Sequence, residues 1–209
     1  MGTFETFQTL MDRGGPLMWP LLFLSVIAVS IAIERTVFWV RLNGRKGSAT
    51  YSETLTALRT GQRIEPLRSP FVALARRMQA EGASLDESSA VASCEEVRPV
   101  FDRGLTILST IITAAPMLGI LGTVLGIIES FELLGGDSSI SDPTQVSGGI
   151  AEALITTAAG LVVALVALFP SMVFRTYQDR AIGRMEALIA AALRGRAAIF
   201  SEPETVNEK

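Results

Sequence analysis

The sequence predicts an all-α integral membrane protein with three transmembrane helices, and three observations support this fold class. Of the 209 residues, 49% are hydrophobic and only 19% are charged, which is more apolar than a typical soluble domain. The mean hydropathy is +0.41. The apolar residues are concentrated in long runs, as they are in membrane spans.

The first run predicts a span over residues 16–40, preceded by an external segment at 1–15. A helix that crosses the bilayer needs ~20 residues, and the run supplies them when it is extended past Ile33. The polar pair Glu34-Arg35 then marks an interface, where Phe38 and Trp39 are expected to be interfacial aromatics. No small-x-small cleavage site follows the run, which favours a true span over a signal peptide.

Residues 41–103 predict a water-exposed cytoplasmic region built of helices. They contain ten Lys or Arg and eight Asp or Glu, in contrast to the apolar runs on either side. Ser84 or Ser88 is the expected N-cap of one helix there. Cys94 is the single cysteine of the chain, so an internal disulfide is excluded.

The next 71 residues, 104–174, contain no Lys or Arg and predict two further spans. These are 104–134 and 146–174, joined by a turn-rich external loop at 135–145. Each is near thirty residues, or roughly 45 Å of helix. That exceeds the ~30 Å hydrocarbon core, so both helices are expected to project beyond the bilayer.

Basic residues predict the orientation. The 41–103 region has ten and the tail at 175–209 has six, whereas the N-terminal segment has one and the 135–145 loop has none. The positive-inside rule therefore places the N-terminus outside and the C-terminus in the cytoplasm. The tail is expected to continue as an amphipathic helix.

Small residues follow helical spacing on both long spans and predict close helix packing. The second span carries Ala115, Gly119, Thr123, Gly126 and Ser130 on one face, and the third carries Ala153, Thr157, Gly160, Ala164, Ala167 and Ser171. The residues expected to serve packing or a hinge are Pro116, Gly119, Gly122, Gly126 and Gly160. Pro116 removes a helical hydrogen bond and usually kinks a helix.

Two hydroxyls on these faces are candidates for a polar path. Thr123 is eleven residues before Leu134, and Thr157 is eleven residues after Val146. At 1.5 Å per residue, counting predicts that both lie ~16 Å from the outer loop, at one depth.

Glu152 lies inside the third span, on a face shared with Thr156. A charged side chain there costs about 2.5 to 3.5 kcal/mol on insertion scales, so an ionisable residue in a span is a functional hypothesis by default. A carboxyl that takes up a proton avoids part of this cost, a behaviour that suits a group on an ion path. The alternative is a glutamate that bonds a neighbouring helix and fixes its register. Glu129 and Glu132 are expected to be interfacial.

Other function classes are disfavoured. Without histidine, zinc-peptidase motifs and Ser-His catalysis are excluded. GILGTVLG lies within an apolar span and lacks the lysine of a phosphate-binding loop. No cofactor, metal or nucleic acid is expected, and the sequence does not predict an enzyme. An internal inverted repeat, typical of secondary transporters, does not occur in the three spans.

Two stretches resemble a known family. RGLTILSTIITAAPMLGILGTVLGIIESF resembles the second span of the ExbB/TolQ/MotA family of ion-driven stator proteins, and VSGGIAEALITTAAGLVVAL resembles the third span of its ExbB and TolQ branch. The close resemblance covers roughly residues 100 to 168. By position, it implies that Thr123, Glu152 and Thr157, with Thr156 beside them, line an ion path.

The resemblance also implies partners. Such proteins form ring-like homo-oligomers, expected to be pentamers, in the bacterial inner membrane. The ring surrounds a dimer of a single-span ExbD- or TolR-type protein in its central pore. That partner carries the proton-binding aspartate and acts on a TonB-, TolA- or other periplasm-spanning effector.

Alternatives remain open at this point. Pro170 follows Gly160 by ten residues, and this spacing, with the pair Thr156-Thr157, resembles the flagellar MotA-type branch. A flagellar or gliding-type stator is therefore one alternative. Its ion is left open between proton and sodium, because hydroxyl-rich linings occur in sodium-driven relatives. A non-conducting membrane scaffold, in which the small residues serve packing alone, is the other.

Overall fold

The computed structural model describes residues 11, 14–135 and 143–200, and within these ranges every regular element is a helix. Among the described residues, three helices are long and apolar enough to cross a membrane, which confirms the all-α membrane fold. Each of these long helices contains a proline, Pro20 in the first, Pro116 in the second and Pro170 in the third. In chain order, the α-helices are α1 Met18–Asn43, α2 Arg45–Thr60, α3 Pro70–Glu81, α4 Glu87–Val97, α5 Pro99–Asp102, α6 Leu105–Gly135 and α7 Pro143–Phe200.

The chain divides into two compact units. The first, which we call the span unit, comprises Met1–Glu34 and Gly104–Val173. The second, the aromatic unit, comprises Arg35–Arg103 and Phe174–Lys209.

The aromatic unit has a core of large apolar side chains. Phe71 and Phe101 are fully buried and Trp39 is 2% exposed. The indole of Trp39 stacks on Tyr177 and on Phe101, with ring centroids 5.7 Å and 6.0 Å apart. Such ring pairs stabilise the fold by more than the burial of their apolar area alone would give.

The expectation that Trp39 is an interfacial aromatic is therefore wrong. The ring is enclosed by other rings instead of facing the lipid–water boundary. Its neighbour Arg35 is also buried, where it donates to the carbonyl of Val100 at 3.0 Å and lies 4.8 Å from the ring centre of Phe38. A Trp next to an apolar run gives the same sequence signal in either setting, and only the burial distinguishes them.

The start of α4 also differs from the expectation, because Asp86 and not Ser84 or Ser88 is the N-cap. The Asp86 carboxylate accepts from the backbone N–H of Ser89 at 2.7 Å, and the Ser89 hydroxyl accepts from the N–H of Asp86 at 3.0 Å. This reciprocal capping box satisfies two donors that a helix start leaves without partners. The backbone hydrogen bond from Ser89, followed by the Ser88 and Ser89 hydroxyls, lowers the pKa of Asp86.

Candidate functional site

The two long spans of the span unit, α6 and α7, contact each other through backbone. A Cβ added to Gly160 would lie 2.5 Å from the carbonyl oxygen of Ala115, and one added to Gly119 would lie 3.0 Å from the Cα of Thr157. Farther along, a Cβ on Gly126 would lie 2.8 Å from that of Ala153. Since residue numbers rise on one helix as they fall on the other, the two helices are antiparallel.

These contacts explain why glycine recurs on α6 and α7. Association of helices in lipid relies on close packing and on interhelical hydrogen bonds, and small residues permit both. A side chain at Gly160 would meet backbone, which cannot move aside without shifting a whole helix. Pro116 lies within α6, whose helix runs from Leu105 to Gly135. The hinge role expected for Pro116 stays a prediction.

Thr157 lies at the centre of this contact. Its hydroxyl donates to the carbonyl oxygen of Gly119 at 2.7 Å, so α7 is hydrogen-bonded to α6 through a side chain. A hydroxyl oxygen that donates in this way keeps its lone pairs and can accept from a water or a proton carrier. Ser130 donates to Gly126 within its own helix at 2.7 Å and lies 3.5 Å from the carbonyl of Val146.

Thr123 lies apart from Thr157. Its hydroxyl donates to Ile120 of its own helix at 2.6 Å. Because Thr157 contacts Gly119, the two threonines are separated by one helical turn, or about 6 Å of rise, and the expectation of equal depth is wrong. Counting placed Leu134 level with Val146, whereas helix packing sets the register, and it does so through the glycine contacts.

Glu152 and Thr156 lie together, on the side of α7 that contacts the start of α1. Thr156 is 2% exposed, and its hydroxyl lies 2.6 Å from the carbonyl oxygen of Gly14 and 3.2 Å from that of Glu152. The Glu152 carboxylate is so close to Gly15 that a Cβ there would lie 2.5 Å from Oε1. The half-buried Glu152 side chain is thereby partly covered by polypeptide.

A cavity of about 80 Å³ lies at this point. Glu152 and Thr156 line it together with Glu129 of α6. One water needs a space of ~10–15 Å³, so the cavity is large enough for water. Among its described lining residues are no Lys or Arg; they are Gly14, Gly15, Pro16, Leu17, Gly122, Leu125, Gly126, Glu129, Gly149, Glu152, Ala153 and Thr156. Glu132 is exposed.

The site thus differs in composition from the set that the sequence predicts. Glu152, Thr156 and Gly122 meet at the cavity, and Thr157 bonds Gly119 nearby. Thr123 bonds Ile120 of its own helix. Sequence reasoning missed Gly14 and Gly15, which contact Thr156 and Glu152. Gly-Gly-Pro is a turn signal, yet no local pattern tells which distant residues a turn touches.

The family is decided by comparison. A model of the MotA/TolQ/ExbB proton channel family matches residues 68–187, more than half of the chain. The chain belongs to this family. MotA/TolQ/ExbB proteins are membrane proton channels and not enzymes, so the chain is a membrane protein of an energy-transducing channel family.

Curated relatives point to the ExbB branch of the MotA/TolQ/ExbB family. Putative biopolymer transport protein ExbB-like 1 of Synechocystis is 36% identical over 173 residues, covering 78% of this chain and 67% of the relative. Putative biopolymer transport protein ExbB-like 3 of Synechocystis is 35% identical over 173 residues, which cover 78% of this chain and 82% of the relative. Biopolymer transport protein exbB1 of Vibrio cholerae is 30% identical over 194 residues, covering 87% and 85%. These matches confirm the resemblance to the ExbB branch.

Proposed function

We propose that the chain is the ion-conducting subunit of an inner-membrane stator complex. The complex uses the proton-motive force to drive rotation or conformational work through a single-span partner. The observation that carries the proposal is the cavity between spans where Glu152, Thr156 and Glu129 meet, in a chain of the proton channel family.

The side chains at the site suit proton movement. The Glu152 carboxyl can take up a proton, and the Thr156 and Thr157 hydroxyls are bonded through their hydrogens to backbone carbonyls. Their oxygens keep lone pairs that can accept, and Thr156, which lines the cavity together with Glu152, can order water beside the carboxyl. Each charge that crosses releases ~2.3 kcal/mol per 100 mV, so a few protons per cycle suffice to rearrange helices.

The arrangement that we propose around the site follows the family. Five copies form a ring around a dimer of an ExbD- or TolR-type protein, with the N-terminus and the 135–145 loop outside and residues 41–103 and 175–209 in the cytoplasm. The biopolymer-transport names of the relatives support a role in transport. We assign the work to a TonB- or TolA-type effector that acts on the outer membrane. Large apolar side chains that α6 and α7 leave exposed suit cover by lipid and by other copies.

Proton flux into vesicles tests the conduction step. The chain is reconstituted together with the single-span partner, and an acid-sensitive dye reports proton entry under an imposed potential. We expect Glu152→Gln and Thr123→Val to lower the flux at least about tenfold, which corresponds to ~1.4 kcal/mol of barrier. Thr113→Val is the matched control, since the Thr113 hydroxyl bonds Ser109 of its own helix and its side chain is exposed.

Either outcome is informative. Full flux in Glu152→Gln and Thr123→Val would contradict the conduction role and leave the scaffold interpretation, which the glycine contacts of α6 and α7 favour. Repeating the assay with sodium in place of the proton gradient identifies the ion. Native mass spectrometry of the extracted complex tests the assembly, because five copies with two of the partner are expected and a monomer indifferent to any partner would refute it.

A further inference from the structure

The residues that begin α1 form a tight turn whose geometry requires glycine. Gly15 has a φ of +67°, a left-handed conformation that side chains disfavour. Pro16 follows, and its fixed φ suits the first turn of a helix. The N–H of Met18 then donates to the Gly15 carbonyl at 3.1 Å, which starts α1. We refer to Gly14–Leu17 as the N-terminal strap.

Three contacts attach this strap to the spans that carry the candidate site. The buried hydroxyl of Thr156 donates to the carbonyl of Gly14 at 2.6 Å. Gly15 lies directly against the carboxylate of Glu152. The Leu17 side chain reaches Gly122 of α6, where an added Cβ would lie 3.6 Å from Leu17 Cδ1.

We propose that the N-terminal strap is part of the Glu152 site, where it covers the carboxyl and fixes its position. Gly14, Gly15 and Thr156 are then positioning residues for Glu152, and the first span contributes to the ion path as well as to anchoring. The inference rests on the proposed function for the role of Glu152 in the ion path. Whether the strap covers the Glu152 carboxyl can be measured separately.

The need for glycine at position 15 has two causes, and they can be separated. The positive φ strains any other residue, and a Cβ would lie 2.5 Å from Oε1 of Glu152, so the carboxylate would have to shift. Gly82 shares the first cause only, because its φ is +51° and nothing lies within 4 Å of an added Cβ. Comparing alanine at the two positions therefore isolates the contact with Glu152.

Chemical labelling of carboxyls measures the cover. The full-length protein in lipid vesicles is treated with a water-soluble carbodiimide and glycine ethyl ester, and the modification of Glu152 is followed by mass spectrometry relative to the exposed Glu132. For Thr156→Val we expect labelling to rise about threefold to twentyfold, the equivalent of one lost interhelical hydrogen bond in a membrane. Gly15→Ala should raise it as well, because the new methyl displaces the strap or the carboxylate.

Matched variants keep the result interpretable. Thr156→Ser retains the donor and should label like the wild type, whereas Gly82→Ala and Thr113→Val should leave Glu152 labelling unchanged. Unchanged or lower labelling in both Gly15→Ala and Thr156→Val would overturn the strap. The labelling assay does not depend on conduction, so the two proposals can fail separately. If labelling rises in the strap variants but Glu152→Gln still conducts, only the proposed function is refuted. If labelling does not rise but Glu152→Gln fails to conduct, only this inference is refuted.

Discussion

The span unit and the aromatic unit are packed by opposite kinds of side chain. In the span unit, α6 and α7 contact through Gly119, Gly126 and Gly160, and a bonded hydroxyl joins them. In the aromatic unit, the core consists of large side chains such as Phe71 and Phe101, both fully buried.

The difference is what we expect if the span unit lies in lipid and the aromatic unit in water, as the sequence predicts. Lipid chains are as apolar as leucine, so burying a large side chain gains little, and close backbone contact with hydrogen bonds takes over. In water, an apolar side chain gains roughly 25 cal/mol for each Å² that it buries, which favours large rings. The span unit leaves large residues such as Phe23 and Phe131 exposed, as a lipid-facing surface allows.

Truncation of phenylalanine in the two units should give the largest contrast. Phe101→Ala removes a fully buried ring that contacts Phe38, Trp39 and Phe71. We expect the free energy of unfolding to fall by about 3–5 kcal/mol, because the cavity adds to the lost burial. Phe23→Ala, at a residue 66% exposed, should change it by about 0.5 kcal/mol or less.

Denaturant titration of the two variants in detergent measures both values. Similar losses for Phe101→Ala and Phe23→Ala would mean that Phe23 is covered in the extracted protein. The comparison of the two units would then fail for the exposed face of α1.

Adding a methyl group should have the next largest effect, and only in the span unit's helix contact. Gly160→Ala places its Cβ against the carbonyl of Ala115, so the helices must separate. We expect a loss of about 1–3 kcal/mol, as for other overpacked sites. Gly148→Ala, on the same helix with nothing within 4 Å, should be neutral or stabilising by about 0.5–1 kcal/mol. Thermal unfolding measures both variants. A lower Tm for Gly160→Ala with an unchanged or higher Tm for Gly148→Ala would establish the contact, and equal changes in Tm would refute it.

Much of this architecture is readable from the sequence, because it depends on local properties. Hydropathy predicts the three long helices, since each run must be apolar along its own length. The helical spacing of small residues identifies the contact face: Ala115, Gly119, Ala153 and Gly160 are buried. Both signals repeat within one helix and require no knowledge of its neighbours.

The parts that the sequence does not predict depend on distant residues. Glu152 and Gly15 are 137 positions apart, and nothing near either one indicates the contact. Trp39 gives the same local signal whether it faces lipid or stacks on Tyr177. The offset between Thr123 and Thr157 depends on which glycines touch, which residue counting cannot supply. Register and tertiary contacts are thus the limit of local inference.

The interhelical hydrogen bond of Thr157 should contribute less than the glycine contacts. Thr157→Val keeps the shape of the side chain and removes the donor to Gly119. Interhelical hydrogen bonds in membranes average about 0.6 kcal/mol and reach ~1.7, so we expect a loss in the free energy of unfolding within that range. Thr113→Val, which loses only a bond within its own helix, is the control. Equal losses would show that the bond to Gly119 adds no stability.

The smallest expected effect is a shift in the reactivity of Cys94, in the aromatic unit. Burial raises the pKa of the thiol above its ordinary value of 9.0, the charge of Glu95 raises it further, Arg98 opposes both and Glu186 adds to them. Only the thiolate reacts readily with iodoacetamide, so the alkylation rate should reach half its maximum above pH 9.0.

Charge variants identify the cause of the Cys94 shift. Glu95→Gln should lower the midpoint and Glu87→Gln, in the same helix, should leave it unchanged. As the pH rises, the thiol of the unfolded chain loses its proton at about 9.0, before the folded one does. The contribution of the neutral thiol to the free energy of unfolding is therefore fully present below pH 9.0 and is lost as the pH rises from there through the higher pKa of the folded protein. A midpoint at or below 9.0 in the folded protein would mean that the site is open to water. The contrast between a tightly packed aromatic unit and an exposed lipid-facing surface would then weaken at α4.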